Sequence, residues 1–268
     1  MKEIMYDHPS WLIVALLFAA LVIATELGYR IGMRNQSATG DGAKTQINTI
    51  QASLLGVLAL LLGFTFSLSL QRYDSRAQAV VNEANAIGTA MLRADLLPAS
   101  ARGEAQEAMV RYLDERIAAG NISLDRVAER AGAVARANAT FDRLWQLGVE
   151  AAEAEPNPVR TGLFMQALND MIDAFGIRDA ALNRHVPELV LFLLFGTFVL
   201  TVSLVGYSSG LAGQRASYAT YVLMILIVFL VFIIIDMDRP RRGVIEVSQQ
   251  SLVDLADSPL AIRNRAAD

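Results

Sequence analysis

The chain has 268 residues, a net charge of −4, 54% hydrophobic residues and no cysteine. That excludes disulfides, thiolate metal sites and a Cys nucleophile, and the scattered basic residues give nucleic-acid binding no support. The apolar residues gather in blocks and mean hydropathy is positive although 19% of the chain is charged, the balance of a membrane protein with a portion in water.

Residues 11–23 are apolar, and the pattern extends to Met33 across Glu26 and Arg30. Asp7 before the run and Trp11 at its start favour a retained transmembrane helix. A signal peptide would want a basic leader and a small-residue cleavage site. Glu26 and Arg30 are spaced i, i+4 and pair on one face. They read either as an intramembrane functional pair or as an interfacial ion pair near the helix end. Residues 35–44 (NQSATGDGAK) form a short polar loop.

Residues 46–97 read as a single long helix. Its first half, 52–70, carries no full charge and is about the length that crosses a bilayer. Its second half, from Gln71, is charged and amphipathic, so the helix leaves the membrane and enters a water-exposed domain. A helical wheel gives the membrane half two opposed faces. Ala52, Gly56, Ala59, Gly63 and Ser67 make a stripe of small residues, the pattern of a helix-packing face. Opposite lie Leu58, Thr65 and Ser69, continued by Arg72 and Arg76, a line that becomes polar and then cationic, as a pore-lining face would. The alternative is ordinary transmembrane Thr and Ser with snorkelling arginines. Phe64 and Phe66 point to opposite sides, so at most one can face a lumen and gate it by dewetting.

Leu97-Pro98 ends the long helix. Residues 100–119 form the next, with Met109, Val110, Leu113 and Ile117 as its apolar face. Gly120-Asn121 is a turn. Residues 124–154 form a third helix, with Val127, Val134, Phe141, Leu144 and Trp145 on or near its inner side. After Glu155-Pro156-Asn157-Pro158, the spacing of Phe164, Leu168, Met171, Ile172 and Phe175 marks a further amphipathic helix. Residues 189–205 are the third span, 207–214 a tight Gly/Ser loop, and 218–235 the fourth span. A polar tail with one moderately apolar stretch follows.

The fold expected is an all-α membrane protein. Four transmembrane helices carry a cytoplasmic four-helix bundle between spans 2 and 3, and those spans continue, or nearly so, into bundle helices. The division is 1–70 for spans 1 and 2, 71–185 for the bundle, 186–238 for spans 3 and 4, and 239–268 for a basic cluster and tail. Lys2, Arg72, Arg76, Arg178, Arg184, Arg239, Arg241 and Arg242 outnumber Arg30, Arg34, Lys44 and Arg215 on the other side. The positive-inside rule therefore puts the bundle and both termini in the cytoplasm.

Gly206-Tyr207-Ser208-Ser209-Gly210 matches the G-x-S-x-G nucleophile pattern but follows a transmembrane helix rather than a strand. Both histidines, His8 and His185, lie on the far side of the membrane, so the stretch reads as a turn that lets helices approach. Asp114-Glu115 and Asp170/Asp173 lack a Glu-x-x-His partner for a di-metal site. No enzyme constellation converges and no cofactor is implied. Arg239, Arg241 and Arg242 read as a lipid-headgroup contact and topology anchor, or as a cationic vestibule near a pore.

Four separated motifs occur in order: SLLGVLALLLGFTFSLSL at 53–70 with RYD at 72–74, EANAIGT at 83–89 with RAD at 93–95, NDMID at 169–173, and DRPRRG at 238–243 with SQQ at 248–250. Together they resemble the bacterial bestrophin-like domain family, over nearly the whole chain. The name implies a distant relation to bestrophins, pentameric anion channels with four spans per subunit, cytoplasmic termini and a pore lined by the second span. The sequence shares that architecture but shows no neck motif of phenylalanines repeated on one face and no acidic calcium clasp.

The leading expectation is a homo-oligomeric ion channel of the bacterial inner membrane, a pentamer as the resemblance implies, with lipid and small inorganic ions as partners. The cationic edge of the second span favours anions such as chloride. The alternative is a non-conducting membrane sensor or scaffold whose bundle docks a partner, with Thr65 and Ser69 packed tightly against another span. A third reading puts the bundle in the periplasm as a ligand sensor.

Overall fold

The computed structural model of the chain describes residues 8–123, 126–154, 158–239 and 243–265. Among them it forms helices and no strand: α1 (Ser10–Asn35), α2 (Asp41–Ala94), α3 (Ala99–Asn121), α4 (Val127–Ala154), α5 (Pro158–Leu182), α6 (Glu188–Leu211), α7 (Tyr218–Asp238), α8 (Gln250–Ala256) and α9 (Pro259–Arg265). Helices α1, α3 and α6 each begin directly after a proline, at Pro9, Pro98 and Pro187. Proline there gives up no backbone bond, because the first N–H groups of a helix have no intrahelical acceptor. Four helices, α1, α2, α6 and α7, are long and apolar enough to cross a membrane.

The chain divides into two compact units, Met1–Arg72 with His185–Arg239, and Tyr73–Arg184 with Pro240–Asp268. The tail thus belongs with the helices of the middle segment, whereas the sequence reading set it apart. Helix α2 contributes to both units without a break. The return is interrupted between α5 and α6, at Asn183 to Pro187.

The first unit holds the four apolar helices. Its core is Leu17 and Leu21 from α1, Leu58 from α2, Leu194, Phe198 and Val202 from α6, and Met224, Val228 and Val231 from α7. Helices α1 and α6 meet backbone to backbone. A Cβ on Gly28 would lie 2.0 Å from the Ser203 carbonyl oxygen, and one on Gly206 would lie 2.1 Å from that of Thr25. Gly32 and Gly210 repeat the arrangement one turn on, at 2.2 Å from Tyr207 O and 2.3 Å from Tyr29 O. Small residues four apart on both helices permit this approach, which large side chains would block. The Gly/Ser loop expected at 207–214 is therefore mostly helix. Gly206 and Gly210 serve helix packing, and the turn itself is made by Gly213 at φ +73°, where a side chain would be strained.

The second unit is a bundle of the later half of α2 with α3, α4, α5, α8 and α9. Its core joins Ile87 and Met91 to Met109, Leu113, Leu144, Phe164, Leu168 and Met171, all shut off from solvent. Alanines at 84, 90, 101, 105, 137 and 167 fill the same core and keep the helices close. The inner line of α4 runs Ala133, Ala137, Phe141, Leu144 and Leu147, while Val127 and Trp145, expected on or near it, are exposed. Leu124, the expected first residue of this helix, lies outside the described residues. The tail folds as α8 and α9, placing Leu252, Ala256 and Ala261 in the core. At seven residues each, these helices are too short to show a period in the sequence.

A polar centre lies inside this bundle. Glu83 is wholly buried, accepts a bond from Arg116 Nε at 2.6 Å through Oε1, and pairs through Oε2 with Arg178 Nη1. Arg178 also donates to the side-chain oxygen of Gln249, just before α8. The Arg116 guanidinium stands over the Phe175 ring, 4.4 Å from its centroid. Burial draws the Arg178 guanidinium below its usual range, with Glu83 opposing the shift. Burial also pushes the neighbouring Tyr112 hydroxyl up to about 12.

Candidate pore-lining helix

The site expected from the sequence is one face of the second span, and its side chains have definite places. Leu58 is buried in the core of the first unit. Thr65 is buried and its Oγ1 donates to the Leu61 carbonyl one turn back, at 2.7 Å. Ser69 is buried and its Oγ donates to the Ile234 carbonyl of α7 at 2.7 Å. Arg76 is buried in the second unit, with Nε donating to Ala181 O at 3.2 Å and Nη2 to Arg184 O at 2.6 Å. Arg72 is half-buried. A side chain enclosed by its own protomer cannot line a channel axis. Leu58, Thr65, Ser69 and Arg76, expected to face a lumen, are instead enclosed within the protomer, while Arg72 on the same side of the helix is half-buried.

The small-residue stripe is the exposed face. Ala52, Gly56, Ala59, Gly63 and Ser67 all stand open, and a Cβ on Gly56 or Gly63 would meet nothing within 4 Å. Among the described residues none comes within 4 Å of a Cβ on either glycine of this stripe, and close packing is made by the glycines of α1 and α6 instead. Leu60 and Phe64 share the open face, Phe64 with 62% of its surface free. Phe66 turns the other way and packs partly buried against Val186, Leu191 and Ile234. Of the two candidate gate residues, Phe64 alone is on an exposed face.

Past the apolar stretch Gln71 is exposed in the first unit, and Asp74 and Gln78 are exposed in the second. The charge of this helix is not what the sequence reading gave it. Among the charged residues of α2 beyond its first turn, Arg76 and Glu83 are buried, and Arg72 and Arg93 are half-buried. Asp74 stands exposed. Of the two arginines on which the expected preference for anions rests, Arg76 is taken up by backbone carbonyls and Arg72 is half-buried.

The remaining candidates fall into two groups. Arg30 Nε donates to Glu26 Oε1 at 2.9 Å, and Arg215 Nη2 comes within 4.0 Å of the same oxygen. All three are partly or well exposed, the setting of an interfacial ion pair. Arg239 is buried rather than open to a vestibule, and its Nη1 donates to the His8 carbonyl. Arg241 and Arg242 lie outside the described residues. Beside Arg239, Asp238 Oδ2 accepts the Val186 N–H at 2.9 Å, and His185 Nδ1 lies 3.1 Å from the Asp238 carbonyl. Among the described residues no cluster of His, Cys, Asp and Glu could hold a metal ion.

Sequence reasoning missed Glu83, Arg116 and Arg178. The signal was available: each occupies an inward position of an apolar helical stripe. Glu83 falls between Val80 and Ile87, Arg116 follows Met109 and Leu113, and Arg178 follows Met171 and Ala174. A charge on an inward line is a buried charge, and buried charges are paired.

The family model for the bestrophin-like domain matches residues 13–252. The chain belongs to the bestrophin-like domain family. The match takes in all four apolar helices and the bundle as far as α8. Among solved structures, a variant of a bacterial bestrophin homolog from Klebsiella pneumoniae is similar at TM-score 0.62 and 16% identity, covering 91% of this chain and 98% of that one. A second variant of the same protein gives 0.61 at 14% identity, covering 89% and 98%. A structure described only as a membrane protein gives 0.52 at 16% identity, covering 94% and 95%. At such identities the likeness concerns the fold. No curated protein matches the sequence. Together the family and the four apolar helices make this a bestrophin-like membrane protein.

Proposed function

We propose that this protein is a homo-oligomeric ion channel of the bacterial inner membrane, with the bundle and both termini in the cytoplasm. Its lumen is lined by the exposed face of the α2 span, Gly56, Leu60, Gly63, Phe64 and Ser67, and Phe64 forms the hydrophobic constriction. One observation carries the reading: a stripe of Ala, Gly and Ser stands open on a membrane-spanning helix. Small residues on such a helix serve close approach of another backbone or a narrow lumen, and they pack poorly against lipid tails. At its end the same face reaches the exposed, polar Gln71. The structural relatives bring a bestrophin homolog's fold to the comparison, and the family resemblance implies an assembly such as a pentamer.

A second reading draws on a specific contact. A non-conducting sensor or scaffold requires Ser69 to be packed against another span, and Ser69 does bond to Ile234. That contact uses the opposite face of α2, so it leaves the exposed face for a lumen.

The absence of native cysteine makes the test direct. Single Gly63→Cys, Ser67→Cys, Thr65→Cys and Ser69→Cys variants are reconstituted in liposomes and treated with a membrane-impermeant thiosulfonate. The first two should react and lose most of their ion flux. The last two should be protected and keep it. Wild-type protein without flux, or the reverse reactivity pattern, refutes the proposal.

A further inference from the structure

We propose that the helical bundle binds one small inorganic anion, a halide of chloride size, between Arg116, Arg130 and Arg178. The site lies wholly within the bundle unit, so it stands or falls apart from the channel reading.

The buried charges there do not balance. Arg116 and Arg178 are 5% and 3% exposed, and one carboxylate, Glu83, serves both. Nearer the surface Arg130 Nη2 pairs with Asp179 Oδ1 at 2.9 Å. Three guanidiniums thus meet two carboxylates, which leaves a surplus of one positive charge. The carboxylates of the neighbouring turns are engaged elsewhere: Glu115 accepts the Thr140 hydroxyl, and Glu129 pairs with Arg126. Arg116 gives its Nε to Glu83, and among the described residues its two terminal nitrogens donate to no acceptor. Its guanidinium has the face of the Phe175 ring on one side, 4.4 Å away, a weaker counterpart than an anion. A surplus charge in a low-dielectric interior is costly, which is why buried charges are paired.

The space for a counter-ion is beside them. Arg116, Arg130, Arg178 and Asp179 border a cavity of about 10 Å³, the room that one water-sized body needs. Val134 and Leu182 close its apolar side. Gly120 also borders it, and a Cβ there would lie 2.7 Å from Gln249 Oε1 and 3.2 Å from Arg178 Nη2, so the bare glycine leaves those groups their places. A cation is excluded by the three guanidiniums. Water would satisfy donors but leave the charge unbalanced. Phosphate and sulfate, each with four oxygens, are too large. A monatomic anion meets both demands, and arginine, weakly hydrated and carrying five N–H donors, is suited to hold it. Arg130, with 22% of its side chain exposed, stands at the outer edge, where it can close on the ion.

The test follows the melting temperature of the full-length protein in detergent as sodium gluconate is exchanged for sodium chloride or bromide at constant ionic strength. The wild type should gain about 3 °C or more and then saturate, because a ligand of the native state stabilises it by mass action. Sodium sulfate at the same ionic strength should give no saturating rise. Arg130→Gln leaves the buried trio of Glu83, Arg116 and Arg178 in place, and it should fold but lose the saturating rise. Crystals grown in bromide should show an anomalous peak among the three guanidiniums, a readout that does not depend on any variant. Identical wild-type melting in gluconate and chloride, an equal saturating rise in Arg130→Gln, or bromide-grown crystals with no peak in the cavity overturns the site.

Discussion

Glu83→Gln will destabilise the bundle unit more than any other conservative single substitution in it, by about 3–5 kcal/mol. The side chain is fully buried and is the shared acceptor of two buried guanidinium groups, with Arg116 Nε at 2.6 Å from Oε1 and Arg178 Nη1 on Oε2. Glutamine keeps the shape and removes the charge. It leaves two like charges close together without water, and the desolvation of each is no longer offset by a carboxylate. Cation–π contact with Phe175 helps Arg116 alone and is worth only about 0.5–2 kcal/mol. Arg178→Gln should cost less. It leaves a one-to-one pair of Glu83 with Arg116, at the expense of the bond to Gln249 that ties the tail to the bundle. The order of the two effects is the diagnostic, read as melting temperature of the detergent-purified protein. If Glu83→Gln melts within a degree or two of wild type, the centre is hydrated and the burial argument fails.

Much of the architecture was legible because it depends on local chemistry. Four apolar runs of spanning length, the charge-free stretch 52–70 and the stripe Phe164, Leu168 and Met171 are properties of neighbouring residues, and each corresponds to an observed helix. The orientation of α2 was not legible. Its two faces are set by what packs on them from 100 or more residues away. Thr65 looks polar in sequence, yet its hydroxyl is satisfied by the carbonyl of Leu61 in the same helix, so burying it costs little. Arg76 looks like a charge facing water. It is held by the carbonyls of Ala181 and Arg184, close to where the chain breaks between α5 and α6. An interrupted helix leaves carbonyls without partners, and a guanidinium is the donor best shaped to serve several at once. The stripe of small residues reads in sequence as a packing face because that is what such stripes do within most bundles. Here the protomer already has its close packing elsewhere, at Gly206 and Gly210, which the sequence presents as a turn.

Gly206→Ala and Gly28→Ala will each prevent α1 and α6 from docking. Each adds one methyl group, and each methyl lands on backbone. The new Cβ would lie 2.1 Å from the Thr25 carbonyl oxygen in the first case and 2.0 Å from the Ser203 oxygen in the second. No rotamer change relieves such a contact, so the two helices must separate along their whole shared length. They would lose the approach at Gly32 and Gly210 as well. Ordinary overpacking costs about 1–3 kcal/mol where flexible side chains absorb the strain. A backbone clash at the centre of a helix pair should exceed that range, seen as a collapse in the yield of monodisperse protein. The control lies in the same membrane unit. Gly56→Ala and Gly63→Ala place the same methyl on α2 where nothing stands within 4 Å, and in a helix interior alanine is favoured over glycine by about 1 kcal/mol. The protomer should therefore tolerate both. If they leave both folding and association in detergent intact, the exposed stripe borders a lumen; if association weakens, it faces a neighbouring subunit and the lumen lies elsewhere. If all four variants behave alike, the difference between the α1–α6 seam and the open face of α2 is not real.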